Sequence, residues 1–356
     1  MAKYIEIVEW IKHYISSSKV KPGDKIPPEL HICDELGASR QTVRKAIQEL
    51  TDEGILYSVK GSGTYVAKVP QKNFNTESKN IALLLTYSDF YIFPQKINGM
   101  YPVFSSNDYM ITIFFTDNSC DKEEKSIRAI LNGDFAGVLF EPSRANLPRC
   151  DKALYDELFE KFPVIFLDTY LPEYDAPCIS IDDIEGAYMA TKYLLDNGHK
   201  NIMHLGKVDD KQGILRYEGY LKALKEYGIH YSDANTFWIT NDFTYGANFY
   251  EPFAAALINR LKDVTAVFCY NDLVANEFVT FAQAHNISIP DDISLISFDD
   301  SYLAVQHGLT SIIHPKHDLG EIAAKYLIRY IQDPSYNANH TFNPEIVVRG
   351  SVKDIN

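Results

Sequence analysis

Two arginines four residues apart carry the most recognisable chemistry of this chain. Arg40 and Arg44 fall on one face of a predicted helix, close to its start, with Gln41 beside them. Arginine can read guanine O6 and N7 with two hydrogen bonds, and glutamine can pair with adenine in the same way. Ser39 and Thr42 can donate hydrogen bonds to phosphates. These residue types predict a surface that reads base edges in the major groove of double-stranded DNA.

A glycine-bearing turn follows this helix and predicts a second contact with DNA. Residues 55–59 and 64–67 have the pattern of two short strands, with Gly61-Ser62-Gly63 between them. Glycine tolerates positive φ, so the backbone of such a turn can approach the duplex closely. Lys60 and Gly61 lie at the predicted tip, and Lys3 near the start of the chain completes the predicted DNA-contacting set. Taken alone, the arginines also fit a solvated helix face.

The elements that position these side chains are predicted from the apolar spacing in residues 1–69. Three helices are expected, the second opened by Pro27-Pro28 and closed by Gly37, and the third capped by Ser39. Four apolar residues of the third helix face inward: Val43, Ala46, Ile47 and Leu50. Three helices followed by a two-stranded turn are typical of a winged helix-turn-helix, an α+β fold.

The charge along the chain agrees with a DNA contact confined to this first segment. The 356 residues have a formal net charge of −14, yet residues 1–69 contain 10 Lys and Arg against 9 Asp and Glu. Phosphate binding depends on the local charge at the contact surface, not on the total. The acidic remainder of the chain discourages nonspecific adhesion to nucleic acid.

The composition argues against several classes of protein. No apolar run approaches the roughly 20 residues of a membrane helix, and Glu6 and Glu9 interrupt any signal-peptide core at the N-terminus. The five cysteines are odd in number and lack metal-binding spacing. Four histidines form no ligand pattern and are interpreted as structural or surface residues: His199, His204, His314 and His317. We expect a cytoplasmic protein without a bound metal, cofactor or membrane partner.

The rest of the chain has a different organisation. Residues 70–79 are polar and aperiodic, as in a linker. Over residues 80–356 short β-rich runs alternate with amphipathic helical segments, which predicts parallel sheets covered by helices. The predicted strands are residues 81–86, 109–116, 136–140, 164–168, 201–206, 236–240, 265–270 and 293–298, and the predicted helices include 186–197, 219–227 and 253–261. The length of residues 80–356 exceeds what one sheet normally accommodates. The second domain is therefore predicted to have an α/β fold with two parallel-sheet subdomains.

Ligands of open α/β sheets bind at the carboxyl ends of the strands. Polar residues follow the predicted strands at Asp89, Glu141, Asp168, Asp182, Asp183, Asp209, Asp210, Asn271, Asp272, Asp299 and Asp300. Aromatic residues accompany them at Tyr91, Phe93, Tyr170, Tyr245 and Tyr270, and Arg216 follows on a helix. Hydroxyl groups donate to carboxylates and accept from arginine or asparagine, and the apolar face of a sugar stacks on a ring. The set suits a polyhydroxylated ligand, although each residue alone is also an ordinary loop or N-cap residue.

Residues 1–69 resemble the GntR-type winged-helix domain. The resemblance rests on the segments Lys25–Glu29 and Ser39–Ala46. It implies contacts with operator DNA from Ser39, Arg40, Thr42 and Arg44 and from the wing around Lys60 and Gly61.

Residues 80–356 resemble the LacI/GalR-type effector domain, and this resemblance implies an α/β fold like that of periplasmic sugar-binding proteins. The segments that carry the resemblance keep the family's order: Asn197–Ile202, Arg216–Tyr220, Cys269–Asp272, Ile289–Ser294 and Ser297–Asp300. The resemblance implies a homodimer and effector contacts from Arg216, Asn271 and Asp299. A dimer would place two winged heads on a palindromic site, because two-fold protein symmetry matches two-fold operator symmetry.

A GntR-type head on a LacI/GalR-type body is similar to the arabinose-responsive repressors. The similar segments are Thr86–Pro94, Phe140–Pro142, Cys269–Asp272 and His314-Pro315. The resemblance implies L-arabinose as the effector. The predicted effector-binding residues are Arg216, Asn271, Asp299, Tyr91, Glu141, Asp182 and Asp89.

The sequence thus predicts a DNA-binding repressor that a small sugar releases from its operator. One alternative is a regulator of the same architecture that responds to a different sugar. Another is a sugar-acting enzyme that uses Glu141 and Asp299 as acid and base. The chain lacks a recognisable catalytic motif, which disfavours the enzyme. Dimer and tetramer both remain open.

Overall fold

The computed structural model describes residues 3–17, 20, 23–52, 54–59, 61–67, 77–88, 91–241 and 253–356. The chain divides into two compact units, one ending at residue 73 and one beginning at residue 74. No helix in these described ranges has the length and apolar character needed to cross a membrane. Most of the segment predicted as a linker, residues 70–76, lies outside the described residues.

The first unit has the predicted order of elements. These are α1 (Lys3–Ser17), α2 (Glu29–Leu36), α3 (Arg40–Asp52), β1 (Leu56–Val59) and β2 (Gly63–Val66). β1 and β2 pair antiparallel. Residues 23–26 run along the other side of β2, where the Ile26 amide donates to the Thr64 carbonyl at 3.0 Å. A single apolar core joins the three helices to both strands.

Local sequence signals fix the start of α3 and the end of α2. Gly37 ends α2 with a left-handed φ of 58°, a conformation that glycine adopts without steric cost. Ser39 Oγ accepts a hydrogen bond from the Thr42 amide at 3.2 Å, as an N-cap residue does. The four predicted inward residues of α3 are all buried. This packing leaves the opposite face of α3 to solvent.

The second unit alternates strands and helices. In chain order its elements are β3 (Asn80–Leu85), α4 (Phe93–Ser105), β4 (Met110–Phe115), α5 (Cys120–Leu131), β5 (Gly137–Phe140), α6 (Lys152–Lys161), β6 (Val164–Leu167), β7 (Cys178–Ile181), α7 (Asp183–Asp196), β8 (Ile202–Lys207), α8 (Lys211–Glu226), a 3-10 turn (Asp233–Asn235), β9 (Thr236–Ile239), α9 (Ala254–Leu261), β10 (Ala266–Cys269), α10 (Asp272–Ala284), β11 (Ser294–Asp299), α11 (Tyr302–His307), β12 (Thr310–Ile313), α12 (Lys316–Gln332), β13 (His340–Phe342) and β14 (Glu345–Val347).

These strands form two sheets, which confirms the prediction of two subdomains. The first lobe is built on the order β13-β7-β6-β5-β3-β4, and the second lobe on β14-β12-β11-β10-β8-β9. Each sheet has an apolar core on either face. The neighbouring strands pair parallel except at β14, which runs antiparallel to β12. The parallel register brings the carboxyl ends of the strands in each lobe to one edge.

The chain crosses between the lobes after β7, after β12 and after β13. The second crossover matters most for the site, because α12 follows a strand of the second lobe yet packs in the core of the first. Glycines allow α12 to approach α4 closely. A Cβ on Gly99 would lie 2.0 Å from the His317 carbonyl oxygen, and one on Gly320 would lie 2.1 Å from that of Lys96.

The strands β7, β12, β13 and β14 were absent from the sequence-based prediction. All four contain only three or four residues, and unlike the equally short β5, β6 and β10 none of them contains three consecutive apolar residues, so they offer little hydrophobic signal. The predicted helix over residues 186–197 begins earlier, at Asp183, and the one over 219–227 begins at Lys211. The predicted strand ends are otherwise correct to within about two residues.

Candidate functional site

A cleft lies where the two lobes of the second unit face each other. It encloses about 60 Å³. The side chains of both lobes line it: Thr86, Tyr87, Tyr91, Ile92, Phe93, Asn118, Glu141, Pro142, Ala145, Asp168, Thr169, Lys207, Asp210, Gln212, Arg216, Tyr270, Asn271, Leu273 and Asp299. A space of this size holds a few water molecules. The lobes must therefore separate before a monosaccharide can enter.

Arg216 is the central cation of the second lobe's side of the cleft. Its side chain is only 2% exposed. Its Nε donates to Asp183 Oδ1 at 2.8 Å, and one terminal nitrogen donates to the Tyr270 carbonyl at 2.7 Å. Its other terminal nitrogen lies 3.6 Å from Asp299 Oδ1. The guanidinium carbon also lies 3.7 Å from the centre of the Phe298 ring. These contacts fix both the position of the positive charge and the orientation of the guanidinium plane.

Asp299 connects the two lobes. Tyr91, which belongs to the first lobe, donates its hydroxyl hydrogen to Asp299 Oδ2 at 2.5 Å, and the Tyr91 oxygen accepts from the Asp272 amide at 3.2 Å. The backbone of Asp299 has a φ of 102°, which is unfavourable for a residue with a side chain. Strained aspartates at the end of a sheet strand are a common feature of ligand sites.

A buried ammonium organises the first lobe's side of the cleft. Lys96 on α4 has no exposed side-chain surface, contacts Asp168, and lies 3.4 Å from Glu141 Oε2. The second oxygen of Asp168 accepts from His314 Nε2 at 2.6 Å. Asp168 and Glu141 both line the cleft. The positive charge of Lys96 therefore stabilises two carboxyl groups that a ligand would contact.

The two carboxyl groups beside Lys96 have different protonation behaviour. Burial raises the pKa of Glu141 to about 7, against the opposing effect of the Lys96 charge. Burial also acts to raise the pKa of Asp168, but Lys96 and His314 outweigh it and hold that pKa below the usual value. Near neutral pH, Asp168 is an acceptor only, whereas Glu141 can either donate or accept a hydrogen bond. Such a pair suits hydroxyl groups, which do both.

Further contacts cross the cleft near its mouth. Asn118 of the first lobe donates to Asn241 Oδ1 at 3.1 Å and lies 3.3 Å from Asp210 Oδ1. Within the second lobe, Lys207 pairs with Asp210 Oδ2 at 2.6 Å and so holds the carboxylate that Asn118 reaches across the cleft. Asn146 donates to the Val208 carbonyl at 2.9 Å. These bonds require the two lobes to lie close together.

The structure brings most of the predicted effector residues to this cleft. Arg216, Asn271, Asp299, Tyr91 and Glu141 all line it. The carboxamide oxygen of Asn271 also caps α10, because it accepts from the Val274 amide at 3.0 Å.

Two predicted effector residues are not found in the cleft. Asp182 is exposed and caps α7, accepting from the Glu185 amide at 2.9 Å, and it is not among the described lining residues. The next residue, Asp183, is the buried partner of Arg216. Asp89, like the aromatic candidate Tyr245, lies outside the described residues.

The sequence analysis missed four side chains that build or support the site: Lys96, Lys207, Asp183 as the partner of Arg216, and His314 as the partner of Asp168. Lysine within an amphipathic helix ordinarily faces solvent, so Lys96 gave no signal. Lys207 is the last residue of β8, and a search of the strand ends for cations as well as carboxylates would have found it. His314 is bonded to a residue 146 positions away, a contact that no local pattern reveals.

In the first unit, the predicted DNA-contacting residues Arg40 and Arg44 are exposed and share one acidic partner. The side chains of Arg40 and Arg44 are 59% and 62% exposed. Their Nε atoms donate to one carboxylate, that of Glu29 on α2, at 2.9 Å and 3.0 Å. A hydrogen bond from Arg40 and the charges of both arginines lower the pKa of Glu29. This carboxylate holds the two guanidinium groups side by side.

The remaining predicted contacts that the structure describes lie at the start of α3, at the start of α1 and in the turn between β1 and β2. Gln41 is exposed, and the hydroxyls of Ser39 and Thr42 are hydrogen-bonded to each other at 2.7 Å. Lys3 is exposed and pairs with Glu6 at 2.7 Å. Gly61 is exposed in the wing turn with a φ of 80°. Lys60 lies outside the described residues.

Comparison with known families divides the chain in the same way as the structure. Residues 3–66 match the family model of bacterial regulatory proteins, gntR family. Residues 191–352 match the model of a periplasmic binding protein-like domain.

Full-length relatives combine both domains. The chain is 35% identical to an arabinose metabolism transcriptional repressor of Halalkalibacterium halodurans, over 99% of this chain and 97% of the relative. It is 30% identical to a protein of the same description from Geobacillus stearothermophilus, over 100% of this chain and 99% of the relative. The similarity therefore includes the junction between the two domains as well as each domain.

Solved structures share the fold. The transcription regulator CcpA of Lactococcus lactis superposes with a TM-score of 0.68 at 24% identity, over 78% of this chain and all of that chain. A transcriptional regulator CelR–cellobiose complex superposes with a TM-score of 0.67 at 21% identity, over 98% and 99%. At these identities the likeness concerns the fold alone, and it confirms the predicted fold class.

Proposed function

Because the chain belongs to the family of arabinose metabolism transcriptional repressors, we propose that L-arabinose releases it from double-stranded operator DNA. A sugar-responsive transcriptional repressor is the function that the family establishes. The identity of the sugar is the proposed part, and the observation that carries it is the full-length similarity to two repressors of arabinose metabolism. Membership of this family also confirms the prediction that the chain is a regulator rather than an enzyme.

The chemistry of the cleft supports a small neutral polyol as the ligand. Lys207 and Arg216 contribute positive charge to the lining, and Glu141, Asp168, Asp210 and Asp299 contribute carboxyl groups. Carboxylates accept from hydroxyl groups, and the cations donate to hydroxyl and ring oxygens. The rings of Phe93 and Tyr270 offer apolar faces. The excess of carboxyl groups disfavours a phosphorylated sugar, because it would repel an added anion.

We propose that sugar binding acts through the angle between the lobes. The sugar enters when the lobes separate, and its contacts with Asp168 and Asp299 from opposite sides then fix one lobe arrangement. Operator binding weakens only if the DNA-binding and DNA-released forms differ in sugar affinity. A coupling of about 1–3 kcal/mol corresponds to a roughly 5- to 150-fold change in operator affinity.

The proposed assembly is a homodimer on a palindromic operator. β4 forms one edge of the first lobe's sheet in the described part of the chain and carries Met110, which is 69% exposed. Tyr101 on the neighbouring helix is 63% exposed. Exposed apolar side chains beside a sheet edge favour burial against a second copy. The proposed DNA contacts are those of Lys3, Ser39–Thr42, Arg44 and the wing at Lys60 and Gly61, within a domain of residues 1–69.

Calorimetric titration of the full chain with single sugars tests the proposed ligand. L-arabinose is expected to bind at least about a hundredfold more tightly than its mirror image D-arabinose or its C4 epimer D-xylose. A misplaced hydroxyl group leaves buried partners such as Asp299 and Arg216 unpaired, which is costly. Tighter binding of another sugar would instead support the regulator with a different effector.

A further inference from the structure

The crossover between β12 and α12 touches an effector-site aspartate of each lobe. His314, Pro315 and Lys316 form this segment, and the side chains of His314 and Lys316 are buried. The segment follows Ile313, the last residue of β12 in the second lobe's sheet, and leads into α12 at Lys316. From Leu319 onward α12 packs in the core of the first lobe. It is therefore one of the segments about which the lobes must rotate.

His314 joins the crossover to the first lobe. Its Nε2 lies 2.6 Å from Asp168 Oδ1. Because the acceptor is a carboxylate, Nε2 carries the hydrogen. The backbone of Asp168 has a φ of 60°. A non-glycine residue keeps such a conformation only where its surroundings hold it, and this hydrogen bond is one of those restraints.

Lys316 joins the crossover to the second lobe. Its Nζ donates to the backbone carbonyl of Asp299, to that of Asp300 at 3.0 Å and to that of His314 at 3.2 Å. Asp299 and Asp300 have φ values of 102° and 47°. One buried ammonium thus satisfies the carbonyl groups of two consecutive strained residues. These bonds fix the backbone that carries the Asp299 carboxylate into the cleft.

We propose that His314 and Lys316 are positioning residues for the effector, which hold Asp168 and Asp299 on opposite sides of the cleft and tie both to the hinge. Neither residue lines the cleft, so their effect passes through the aspartates. The inference rests on the proposed function for the identity of the ligand. It goes further than that function, because it proposes that this one crossover connects the ligand-contacting carboxylates to the rotation of the lobes.

The test compares His314→Leu with His314→Gln in the full-length protein. Glutamine can place an N–H near the position of Nε2, whereas leucine cannot donate at all. His314→Leu is expected to bind L-arabinose about tenfold to a hundredfold more weakly, because it removes a hydrogen bond to a charged group. His314→Gln should recover most of that loss. His317→Leu is the matched control, since that side chain is 59% exposed three residues along the chain.

A second readout works without sugar. The Asp168 amide donates to the Ile179 carbonyl at 2.9 Å, so hydrogen exchange of a peptide covering residues 165–171 reports on the strained turn. We expect faster exchange there in His314→Leu, recovery in His314→Gln, and wild-type exchange in His317→Leu.

The outcomes separate the inference from the proposed function. If His314→Leu matches wild type in sugar affinity and in exchange, or if His314→Gln is as impaired as His314→Leu, the inference is overturned. If wild type itself fails to bind L-arabinose, the proposed function fails and the exchange measurement alone decides the positioning role. Lys316→Met, which keeps the aliphatic stem but removes the ammonium, should likewise weaken sugar binding; unchanged affinity would remove Lys316 from the proposal.

Discussion

Arg216→Ala is expected to bind operator DNA with wild-type affinity and to remain bound at sugar concentrations that release the wild-type protein. The guanidinium is almost fully buried, and it is held by Asp183, the Tyr270 carbonyl and the Phe298 ring. Removing it leaves Asp183 and Asp299 as buried carboxylates without their cation. Breaking such a buried pair costs about 3–5 kcal/mol of folding stability. The sugar also loses hydrogen bonds from a charged group, worth about 1.5–3 kcal/mol, so sugar affinity should fall about tenfold to a hundredfold.

The measurement is sugar affinity by calorimetry together with operator affinity by fluorescence anisotropy, in the full-length protein. Arg216→Lys keeps the charge but loses the planar fork that engages two partners at once, and it should remain clearly impaired. Lys222→Ala is the matched control. This residue lies on the same helix, is 50% exposed and pairs with Glu185 at the surface, where an ion pair contributes little. Wild-type release of operator from Arg216→Ala would contradict the assigned cleft.

Arg44→Ala should lose the ability to distinguish operator DNA from other duplexes while retaining wild-type sugar affinity. A bidentate contact between arginine and guanine contributes about 1–3 kcal/mol of discrimination, or roughly 5- to 150-fold. The Arg44 side chain is 62% exposed, so its removal leaves no cavity in the core of the first unit. The loss should therefore appear in DNA recognition and leave the unfolding temperature nearly unchanged.

Lys45→Ala provides the comparison that separates base reading from charge. It removes one positive charge from the adjacent position, and its Nζ lies 4.0 Å from the centre of the Tyr4 ring. Operator duplexes are obtained by selection from a random pool with the sugar-free protein. Lys45→Ala should weaken selected and scrambled duplexes alike, whereas Arg44→Ala should weaken mainly the selected one. Equal effects of the two substitutions would argue against base reading by Arg44.

The sequence was most informative where function depends on local patterns. The apolar spacing of α3 determines which of its residues face solvent, and Ser39 and Gly37 determine where α3 begins and α2 ends. The rule that ligands bind at the carboxyl ends of parallel strands predicts that Glu141, Asn271 and Asp299 meet at one cleft, and all three line it. These features depend on short stretches of chain and on general rules of sheet geometry.

The remaining features depend on contacts between distant segments. Lys96 occupies a helical position that ordinarily faces solvent, and only the packing of α4 against α12 buries it. Asp182 and Asp183 are the same residue type at consecutive positions, yet one caps a helix at the surface and the other pairs with Arg216. Their positions at the start of α7 differ by one residue, and this difference determines which of the two carboxylates pairs with Arg216. The role of His314 follows from a crossover whose flanking strand is too short to predict.

The central claim is that sugar binding in the cleft weakens operator binding by the first unit. Its most direct test is the operator affinity of the wild-type protein, measured by anisotropy with a selected duplex, first without sugar and then with saturating L-arabinose or D-xylose. We predict that L-arabinose weakens operator binding by roughly 5- to 150-fold and that D-xylose at the same concentration leaves it unchanged. An operator affinity that L-arabinose leaves unchanged or strengthens, while calorimetry shows the sugar bound, would contradict the claim.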